Sequence, residues 1–510
     1  MRPRLHYRLL AVAALLIFFA LALDTAGQMA VTTDEPLHLT RAIAMRQLGV
    51  MRVGDKHAPL THRLMAGLLA TDGPLPDVTA LANWPTGNPY FIGRELLWRD
   101  DVPTDRVVWL GRLAVINLGV LLGALLAAWT WTLTNGHRAA TAAVLITYAF
   151  SPNLLAAASL ATTDMAATVT WFAAVYTWWR YWRRPGRGRW LLAAVALGLA
   201  LAAKLTGVLL LPVGLALAYV GAAGARLWPP ARPWWRPALV WAALLPVAAL
   251  VLWALYGFEV AGGVPMPPYW QAWRLLLTEV DAGHPNFFMG QVLNEGSWLY
   301  FPAALLLKTP LPQLGLFLLA AVGLGAIARR RGDWWRPVAF LVLPAAICLA
   351  VAMASRLNYG YRHALPAIPF LMVMGAWGAA WLWERPAGSG RVAARAALLL
   401  GLGWVAVAGL RTHPDHLAYF NELARGQGYR YLGDSNLDWG QDLGRLGVYA
   451  RQVVAETGRQ PFFSYSGAAA PAHYGLSGPS LTEGFNAGDG SFAPANPAAG
   501  RYAINVSDLQ

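Results

Sequence analysis

The segment TTDEPLHLTRA, residues 32–42, places two adjacent carboxylates and a histidine after an apolar stretch long enough to cross a membrane. On a helix the side chains of Asp34 and Glu35 would diverge by roughly a hundred degrees. They therefore suit two different roles better than the facing pair of a retaining glycosidase, whose carboxyl groups lie ~5 Å apart. His38 follows Asp34 by four residues and would share its helical face. The structural alternative is a capped helix start, with Thr and Asp as caps and an early proline.

Basic residues recur near the ends of other apolar stretches. GDKHAPLTHRL contains Lys56 and His57, cations that could hold a phosphate group, although a solvated loop with ordinary charge also explains that segment. NYGYRHALPAIP puts Arg362 and His363 beside two tyrosines, a combination that suits a phosphate with a sugar attached or an interfacial anchor. In SPNLLAAASLATTDMAA, Asp164 stands where a helix starts. It could belong to the site, or it could simply cap that helix.

The ionisable residues of the apolar regions gather on one side of the predicted membrane topology. They are Asp34, Glu35, His38, Lys56, His57, His62, Asp164, Lys204, Arg356, Arg362 and His363. Such groups are costly at membrane depth and mark functional sites by default. An ion-coupled transporter would more often carry carboxylates near the bilayer midplane. The distribution therefore indicates a site built at one membrane interface.

A metal ion is possible at this site but is not indicated. His38 and His57 together with Asp34 could bind a divalent cation, yet the sequence contains no H-x-x-x-H motif. Its one cysteine, Cys348, excludes both an intrachain disulfide and a thiolate metal cluster.

The composition predicts a polytopic membrane protein. Of the 510 residues, 57% are hydrophobic and only 13% are charged, too few to cover the surface of a soluble domain. The net charge of +14 comes from arginines in short stretches between apolar runs, which the positive-inside rule explains. Nucleic acid is not expected as a partner, because no motif interleaves aromatic residues with that charge.

Apolar runs of spanning length predict about eleven transmembrane helices. They lie at 8–23, 107–132, 139–158, 165–182, 190–204, 205–223, 237–256, 308–328, 337–354, 365–383 and 392–410. With the N-terminus in the cytoplasm, the Arg-rich loops fall inside, and the long loops at 24–106 and 257–307 fall outside.

The sequence after residue 410 changes character and predicts a second domain. Residues 411–510 are polar and contain no spanning segment. Residues 444–456 have helical spacing, and PFFSYSG and RYAINVS are typical of short strands. We therefore expect a transmembrane catalytic domain at 1–410 and a small α/β domain at 411–510, on the same side as the two long loops.

Three aromatic side chains of this tail could stack on sugars, although core packing is the commoner role of such residues. They are Trp439, Tyr465 and Tyr474.

The order of these motifs resembles the bacterial branch of the protein O-mannosyltransferase-like GT-C glycosyltransferases. The specific motifs are TTDEPLHLTRA and the tail HPDHLAYFNELARG…YRYLGDSNLDWGQDL; HAPLTHRL, SPNLL…ATTDMAA and NYGYRHALPAIPF support them. The resemblance implies a multi-span enzyme that takes a sugar from a polyprenyl-phosphate donor. It passes the sugar to an acceptor hydroxyl on the periplasmic side of the bacterial inner membrane, with the N-terminus cytoplasmic and the C-terminus periplasmic.

The resemblance also implies roles for individual residues. Asp34 would be the general base, and Glu35 would help to position the acceptor. A lysine precedes the proline of the second motif in the related aminoarabinose transferases; His57 stands there in this chain, with Lys56 one residue earlier, so either could meet the phosphate. The donor phosphate and sugar would be bound by His38, Lys56, His57, Asp164, Lys204, Arg356, Arg362 and His363.

The chemistry of sugar transfer fits these roles. Displacement at an anomeric carbon needs a base for the incoming hydroxyl and cations on the departing phosphate, and one carboxylate suffices for inversion. A protein, lipid or glycan acceptor fits equally well, and the sugar stays open. The alternative from another class is a transporter or flippase for lipid-linked sugars, which predicts midplane ionisable residues and an inverted repeat.

Overall fold

The computed structural model describes residues 2–49, 53, 56–71, 73–223, 233–328, 335–385, 388–477 and 500–506. Most of this part of the chain is helical. The α-helices are α1 Arg2–Gln28, α2 Glu35–Leu48, α3 Leu60–Leu69, α4 Pro89–Leu97, α5 Thr104–Leu133, α6 Arg138–Ala149, α7 Pro152–Ala158, α8 Asp164–Arg183, α9 Arg187–Ala203, α10 Leu210–Ala222, α11 Arg236–Ala242, α12 Leu244–Leu255, α13 Pro267–Ala282, α14 Tyr300–Lys308, α15 Leu311–Ala328, α16 Trp335–Ala354, α17 Ile368–Trp383, α18 Ser389–Thr412 and α19 Leu443–Thr457.

The strands of the described residues are short and form three separate pairs. The antiparallel pairs lie in the loop that follows α12, and the parallel pair lies in the tail. The pairs are β1 Val260–Ala261 with β2 Val264–Pro265, β3 Asn286–Phe288 with β4 Gln291–Leu293, and β5 Phe462–Phe463 with β6 Tyr502–Ala503.

The helices make the chain a multi-pass membrane protein. Seven helical segments of the described residues are long and apolar enough to cross a membrane: Tyr7–Gln28, Thr104–Leu133, Leu205–Ala222, Arg236–Leu255, Trp335–Ala354, Leu365–Trp383 and Ser389–Thr412. Two bent helix pairs raise the number to as many as nine if each pair counts as one span. The bent pairs are α6 with α7, at 55°, and α14 with the first part of α15, at 116°. The other two predicted stretches form α8 and α9. Since α9 has only 17 residues and a crossing needs ~20, the total of about eleven stays a prediction.

The chain breaks between helices where the sequence places polar residues. Helix α9 ends at Ala203, and Lys204 is extended, with φ −156° and ψ 147°, before a 3-10 turn at Leu205–Leu209 leads into α10. Helix α2 begins at Glu35 with Pro36 in its first turn; Asp34 is its N-cap residue by position, but its side chain makes no capping hydrogen bond. Helix α8 begins at Asp164 itself, so the N-cap is Thr163 and the capping interpretation of Asp164 is wrong.

The tail packs directly against the helical region. Helix α19 covers the predicted helix at 444–456, and β5 and β6 lie within the predicted strands. The buried ammonium group of Lys308 donates to the backbone carbonyls of Leu417, at 2.9 Å, and Asn436. Asn421 Nδ2 donates to the carbonyls of Leu306, in the last turn of α14, and Thr309, directly after that helix. These bonds fix the tail loop to the end of α14.

Candidate functional site

A cavity of about 840 Å³ lies between the ends of several helices and the tail, within the usual range for ligand sites. Its ionisable lining residues are Asp34, His38, Lys56, His57, Asp164, Lys204, Glu279, His284, Arg362, His363, Asp434 and Asp438. Its apolar lining comes mainly from α13, α16 and the turn after Lys204, and includes Trp273, Leu276, Leu277, Val280, Leu205, Val208, Leu209, Val351 and Ala352. Segments that are far apart in sequence thus form one chamber with a charged and an apolar lining.

The structure brings together eight of the ten predicted site residues in this cavity. Glu35 and Arg356 are not among the residues that line it. The guanidinium group of Arg356 donates to the backbone carbonyl of Asp281 at 3.2 Å. The assignment of Arg356 to the donor site stays a prediction to which this geometry gives no support.

Arg362 is the centre of the first charged group in the cavity. Its Nη1 donates to Asp34 Oδ2 at 2.9 Å and lies 3.9 Å from Asp164 Oδ2. Lys204 Nζ donates to the other oxygen of Asp164 at 2.7 Å. The guanidinium plane also lies over the ring of Trp439, 4.1 Å from its centroid, a cation–π contact. Asp34 therefore faces the cavity and Arg362, instead of capping α2.

Glu35 points in the opposite direction, into the protein. Its side chain is fully buried and accepts two hydrogen bonds from the guanidinium of Arg112, at 2.8 and 2.7 Å. The backbone N–H groups of Ala161 and Thr32 donate to it as well, each at 2.8 Å. Burial alone raises the pKa of Glu35, but the charge of Arg112 and these hydrogen bonds outweigh burial and hold the pKa below its ordinary value. The two adjacent acids thus have separate environments, as their spacing predicts.

Lys56 belongs to a second charged group, on the side of the cavity formed by α13. Its ammonium group forms an ion pair with Oε1 of Glu279, and the hydroxyl of Tyr359 donates to the same oxygen. Lys56 also lies over the Tyr359 ring, 5.5 Å from the centroid. Burial, followed by the hydrogen bond to Glu279, raises the pKa of Tyr359, so the phenol keeps its proton and acts as a donor.

His38 and His57 line the cavity next to Lys56, and His62 contacts His38 from outside the lining. His38 Nδ1 and His62 Nε2 are 3.0 Å apart, and the rings of His38 and His57 are 4.7 Å apart. Burial, followed by the positive charges nearby, holds the pKa of His57 and of His62 well below the ordinary value, and the same causes lower that of His363. These imidazoles are neutral at pH 7. A neutral His57 cannot meet a phosphate as a cation, which leaves Lys56 of the two predicted residues.

The neutral histidines predict a stability that falls with acidification. In the unfolded chain a histidine takes up a proton near pH 6.5, while the folded protein keeps His57, His62 and His363 neutral to lower pH. The unfolded state then binds more protons, so the free energy of unfolding decreases as the pH falls below about 6.5, by about 1.4 kcal/mol per pH unit for each histidine. Thermal unfolding in detergent between about pH 7.5 and pH 5 measures this slope.

A pair of variants checks the origin of that slope. His62→Gln should make the pH dependence shallower. His473→Gln, on the exposed surface of the tail, should leave it unchanged. An identical slope in the wild type and His62→Gln would contradict the assignment.

Sequence reasoning missed several of the residues that complete the site. Arg112 and Glu279 lie in segments without a motif, whereas Asp434 and Asp438 belong to the tail motif GDSNLDWG, whose acidic residues were a usable signal. Trp439, for which the sequence leaves sugar stacking and core packing open, is buried and lies under Arg362. Tyr465 and Tyr474 have structural bonds instead: their hydroxyl oxygens accept from the backbone N–H groups of Ala469 and Val31.

Asp434 is held in an unusual conformation by the tail loop. Its φ of +54° lies in the left-handed region, which non-glycine residues rarely adopt. Ser435 donates to the carbonyl of Tyr359, and the Asn436 side chain accepts from the Tyr361 N–H and donates to the Tyr300 hydroxyl. Burial raises the pKa of Asp434 and outweighs the opposing charge of Arg362. Local strain kept in place by a buried polar network is a feature of functional sites.

The close approach of the tail loop requires a glycine opposite it. Gly360 has φ +118°, and a Cβ atom there would lie 2.5 Å from Ser435 Oγ.

Among the described residues, no group of three or more His, Cys, Asp or Glu side chains is arranged to hold a metal ion.

The fold and the site together define the class of protein: a polytopic helical membrane protein whose ionisable cluster lies in a cavity at the helix ends. Residues 104–256 match the family Dolichyl-phosphate-mannose-protein mannosyltransferase. This match confirms the resemblance that the motifs indicate, and it covers α5 to α12. No protein with a curated description matches the chain.

Solved structures extend the likeness over most of the chain. The crystal structure of ArnT from Cupriavidus metallidurans bound to undecaprenyl phosphate aligns with a TM-score of 0.53 and 16% identity, over 88% of this chain and 72% of that chain. The apo state of the same protein aligns with a TM-score of 0.50 and 14% identity, over 89% and 81% of the two chains. At these identities the likeness shows a shared fold, and the fold is of the GT-C type.

Proposed function

We propose that the protein transfers a sugar from a polyprenyl-phosphate donor to an acceptor hydroxyl group. One observation carries the proposal: the carboxylate of Asp34 faces a cavity that also contains Lys56, Lys204 and Arg362 and that has a long apolar lining. A base, cations for a phosphate and an apolar surface for a lipid chain are the three things such a reaction needs. The ArnT structure that contains undecaprenyl phosphate has the same fold, which supports this choice of donor.

Different residues of the cavity perform the proton transfer and the stabilisation of the leaving phosphate. Asp34 accepts the proton of the acceptor hydroxyl as its oxygen forms a bond to the anomeric carbon. The bond between that carbon and the phosphate oxygen breaks, and its electron pair leaves on polyprenyl phosphate, which Lys56, Lys204 and Arg362 stabilise. Attack from the face opposite the phosphate inverts the anomeric configuration. The sugar is a hexose or pentose, and the acceptor is a hydroxyl of a protein, lipid or glycan.

We place the reaction at the periplasmic face of a bacterial inner membrane, with the N-terminus in the cytoplasm and the C-terminus in the periplasm. The positive-inside rule assigns the short arginine-rich loops to the opposite, cytoplasmic side. The loops at 24–106 and 257–307 and the tail all contribute residues to the one cavity, which supports a common side for the three.

The proposal predicts that Asp34→Asn abolishes transfer. Loss of a general base typically costs 10²–10⁴-fold in rate, and asparagine keeps the shape of the side chain. The measurement uses purified protein in proteoliposomes with a radiolabelled polyprenyl-phosphate hexose and native membrane acceptors, and follows the release of polyprenyl phosphate.

The matched control is Asp101→Asn, an exposed acid of the same loop that pairs with Arg99. It should release polyprenyl phosphate like the wild type. Equal release by Asp34→Asn and the wild type would remove Asp34 from its role. No release with any hexose donor, together with movement of the intact donor across the bilayer, would favour the lipid-linked sugar transporter.

A further inference from the structure

Helix α13 covers the cavity and brings one acidic residue into it. Its cavity-facing residues Trp273, Leu276, Leu277 and Val280 recur at helical spacing. Glu279 is the one charged residue of α13 among those that line the cavity. An apolar helix face with a single carboxylate above a cation needs a reason, because ionisable groups are costly in apolar surroundings.

The Glu279 carboxylate is held by two donors through one oxygen. Lys56 Nζ and the Tyr359 hydroxyl both contact Oε1. The other oxygen, Oε2, is buried and has no hydrogen-bond partner among the described residues. Since a carboxylate is most stable when both oxygens accept hydrogen bonds, this arrangement is incomplete.

The two donors offer the contacts that a phosphate group uses. An ammonium group and a phenol hydroxyl converge on one point, beside an apolar wall that suits a lipid chain. A phosphate oxygen could take the place of Glu279 Oε1 and form the same charge-assisted hydrogen bonds. Both anions cannot occupy that point together, because like charges so close repel strongly.

The other cations of the cavity are held differently. Lys204 pairs with Asp164, the first residue of α8, and Arg362 pairs with Asp34, at the start of α2. Glu279 instead lies on a helix that, in the described part of the chain, is tied to the other segments by side-chain hydrogen bonds from Lys56, Tyr359 and Arg356. Of the three carboxylates paired with cations in the cavity, Glu279 is also the most exposed, so its side chain can leave its cation with the smallest rearrangement.

We propose that Glu279 is an internal occupant of the donor-phosphate site, which keeps Lys56 and Tyr359 paired until the phosphate of a lipid-linked donor replaces its carboxylate. The inference rests on the proposed function and adds a residue that sets the affinity for the donor. Displacing Glu279 releases α13 from Lys56 and Tyr359. The helix can then repack its apolar face on the lipid chain.

The test compares the binding of undecaprenyl phosphate by the wild type and Glu279→Gln in nanodiscs. Glutamine keeps the shape and a carbonyl acceptor but removes the negative charge that competes with phosphate. We expect tighter binding by Glu279→Gln, by several-fold and up to about tenfold, as expected for a partly exposed ion pair. A purely structural role would move the affinity in the opposite direction, because a damaged site binds its ligand less well.

Two further variants make the test specific. Glu295→Gln, an exposed acid of the same loop and outside the cavity lining, should bind like the wild type. Lys56→Gln should weaken binding, and combining it with Glu279→Gln should remove most of the gain. Inorganic phosphate should compete poorly; competition as strong as that of the lipid would overturn the assignment to a lipid headgroup.

The outcomes separate the two proposals. Equal or weaker binding by Glu279→Gln, with clear binding by the wild type, would overturn the role of Glu279 and leave the glycosyltransferase proposal standing. No binding of undecaprenyl phosphate by the wild type and every variant would overturn both.

Discussion

Replacing Arg112 with methionine is expected to lower the free energy of unfolding by about 3–5 kcal/mol, the usual cost of breaking a buried ion pair. The side chains of Arg112 and Glu35 are 2% and 0% exposed. Arg112 also donates to three backbone carbonyls at the end of α1, those of Ala26, Met29 and Ala30, at 2.6–2.8 Å. Without it, Glu35 is left as an uncompensated charge in the interior, and the carbonyls lose their donors.

The matched variant removes both charges. Glu35→Leu combined with Arg112→Met should recover part of the lost stability, because no unpaired charge remains. The rest stays lost, because the three carbonyls and the N–H groups of Ala161 and Thr32 have lost these partners. Chemical unfolding in detergent measures all three proteins, the wild type, the single variant and the double variant. A loss below about 1 kcal/mol in Arg112→Met would contradict the structural role assigned to the pair.

This pair shows what the sequence predicts and what it does not. The helical geometry of adjacent positions predicts that Asp34 and Glu35 face different surroundings, and the structure agrees. It does not predict that the partner of Glu35 is an arginine 77 residues later, inside the apolar helix α5. Residues so far apart become neighbours only through helix packing. The implied role of Glu35 toward the acceptor therefore stays a prediction, one that its burial outside the cavity lining does not support.

The fold was more predictable than the wall of the site. The length of the apolar runs predicts helices at all eleven stretches, and Lys204 marks the break between α9 and α10. By contrast, α13 has no motif and too few apolar residues for a membrane crossing, so its place over the cavity follows only from three-dimensional packing. The contribution of Asp434 has the same origin, since the tail reaches the cavity through the buried bonds of Lys308 and Asn436.

The charges of the cavity limit how the proposed phosphate donor can bind. The described lining residues include three cations and five carboxylates. The cations are Lys56, Lys204 and Arg362, and the carboxylates are Asp34, Asp164, Glu279, Asp434 and Asp438. Each of these cations already has a carboxylate partner. A donor phosphate adds negative charge, so it must replace a carboxylate or be accompanied by protonation. The raised pKa of Asp434 makes that residue a place where such a proton can be taken up.

Arg362→Met should reduce the rate of sugar transfer by about 10²–10³-fold, the range found when one donor that stabilises developing charge is removed. The guanidinium group holds Asp34 at 2.9 Å, lies near Asp164 and rests on Trp439. Its loss leaves two acids in the cavity without their shared cation and also removes positive charge from the departing phosphate. The measurement is kcat/KM for the release of polyprenyl phosphate, together with thermal unfolding to exclude misfolding.

The conservative and the neighbouring replacements decide what kind of contribution Arg362 makes. Arg362→Lys keeps the charge but loses the planar fork that can contact Asp34 and stack on Trp439 at once, so its activity should fall between those of the wild type and Arg362→Met. Arg356→Met, six residues earlier and outside the cavity lining, should stay within a few-fold of the wild type. If Arg356→Met lost as much activity as Arg362→Met, the cavity would not be the place where the donor reacts, because the arginine that contacts Asp34 would then matter no more than one that does not.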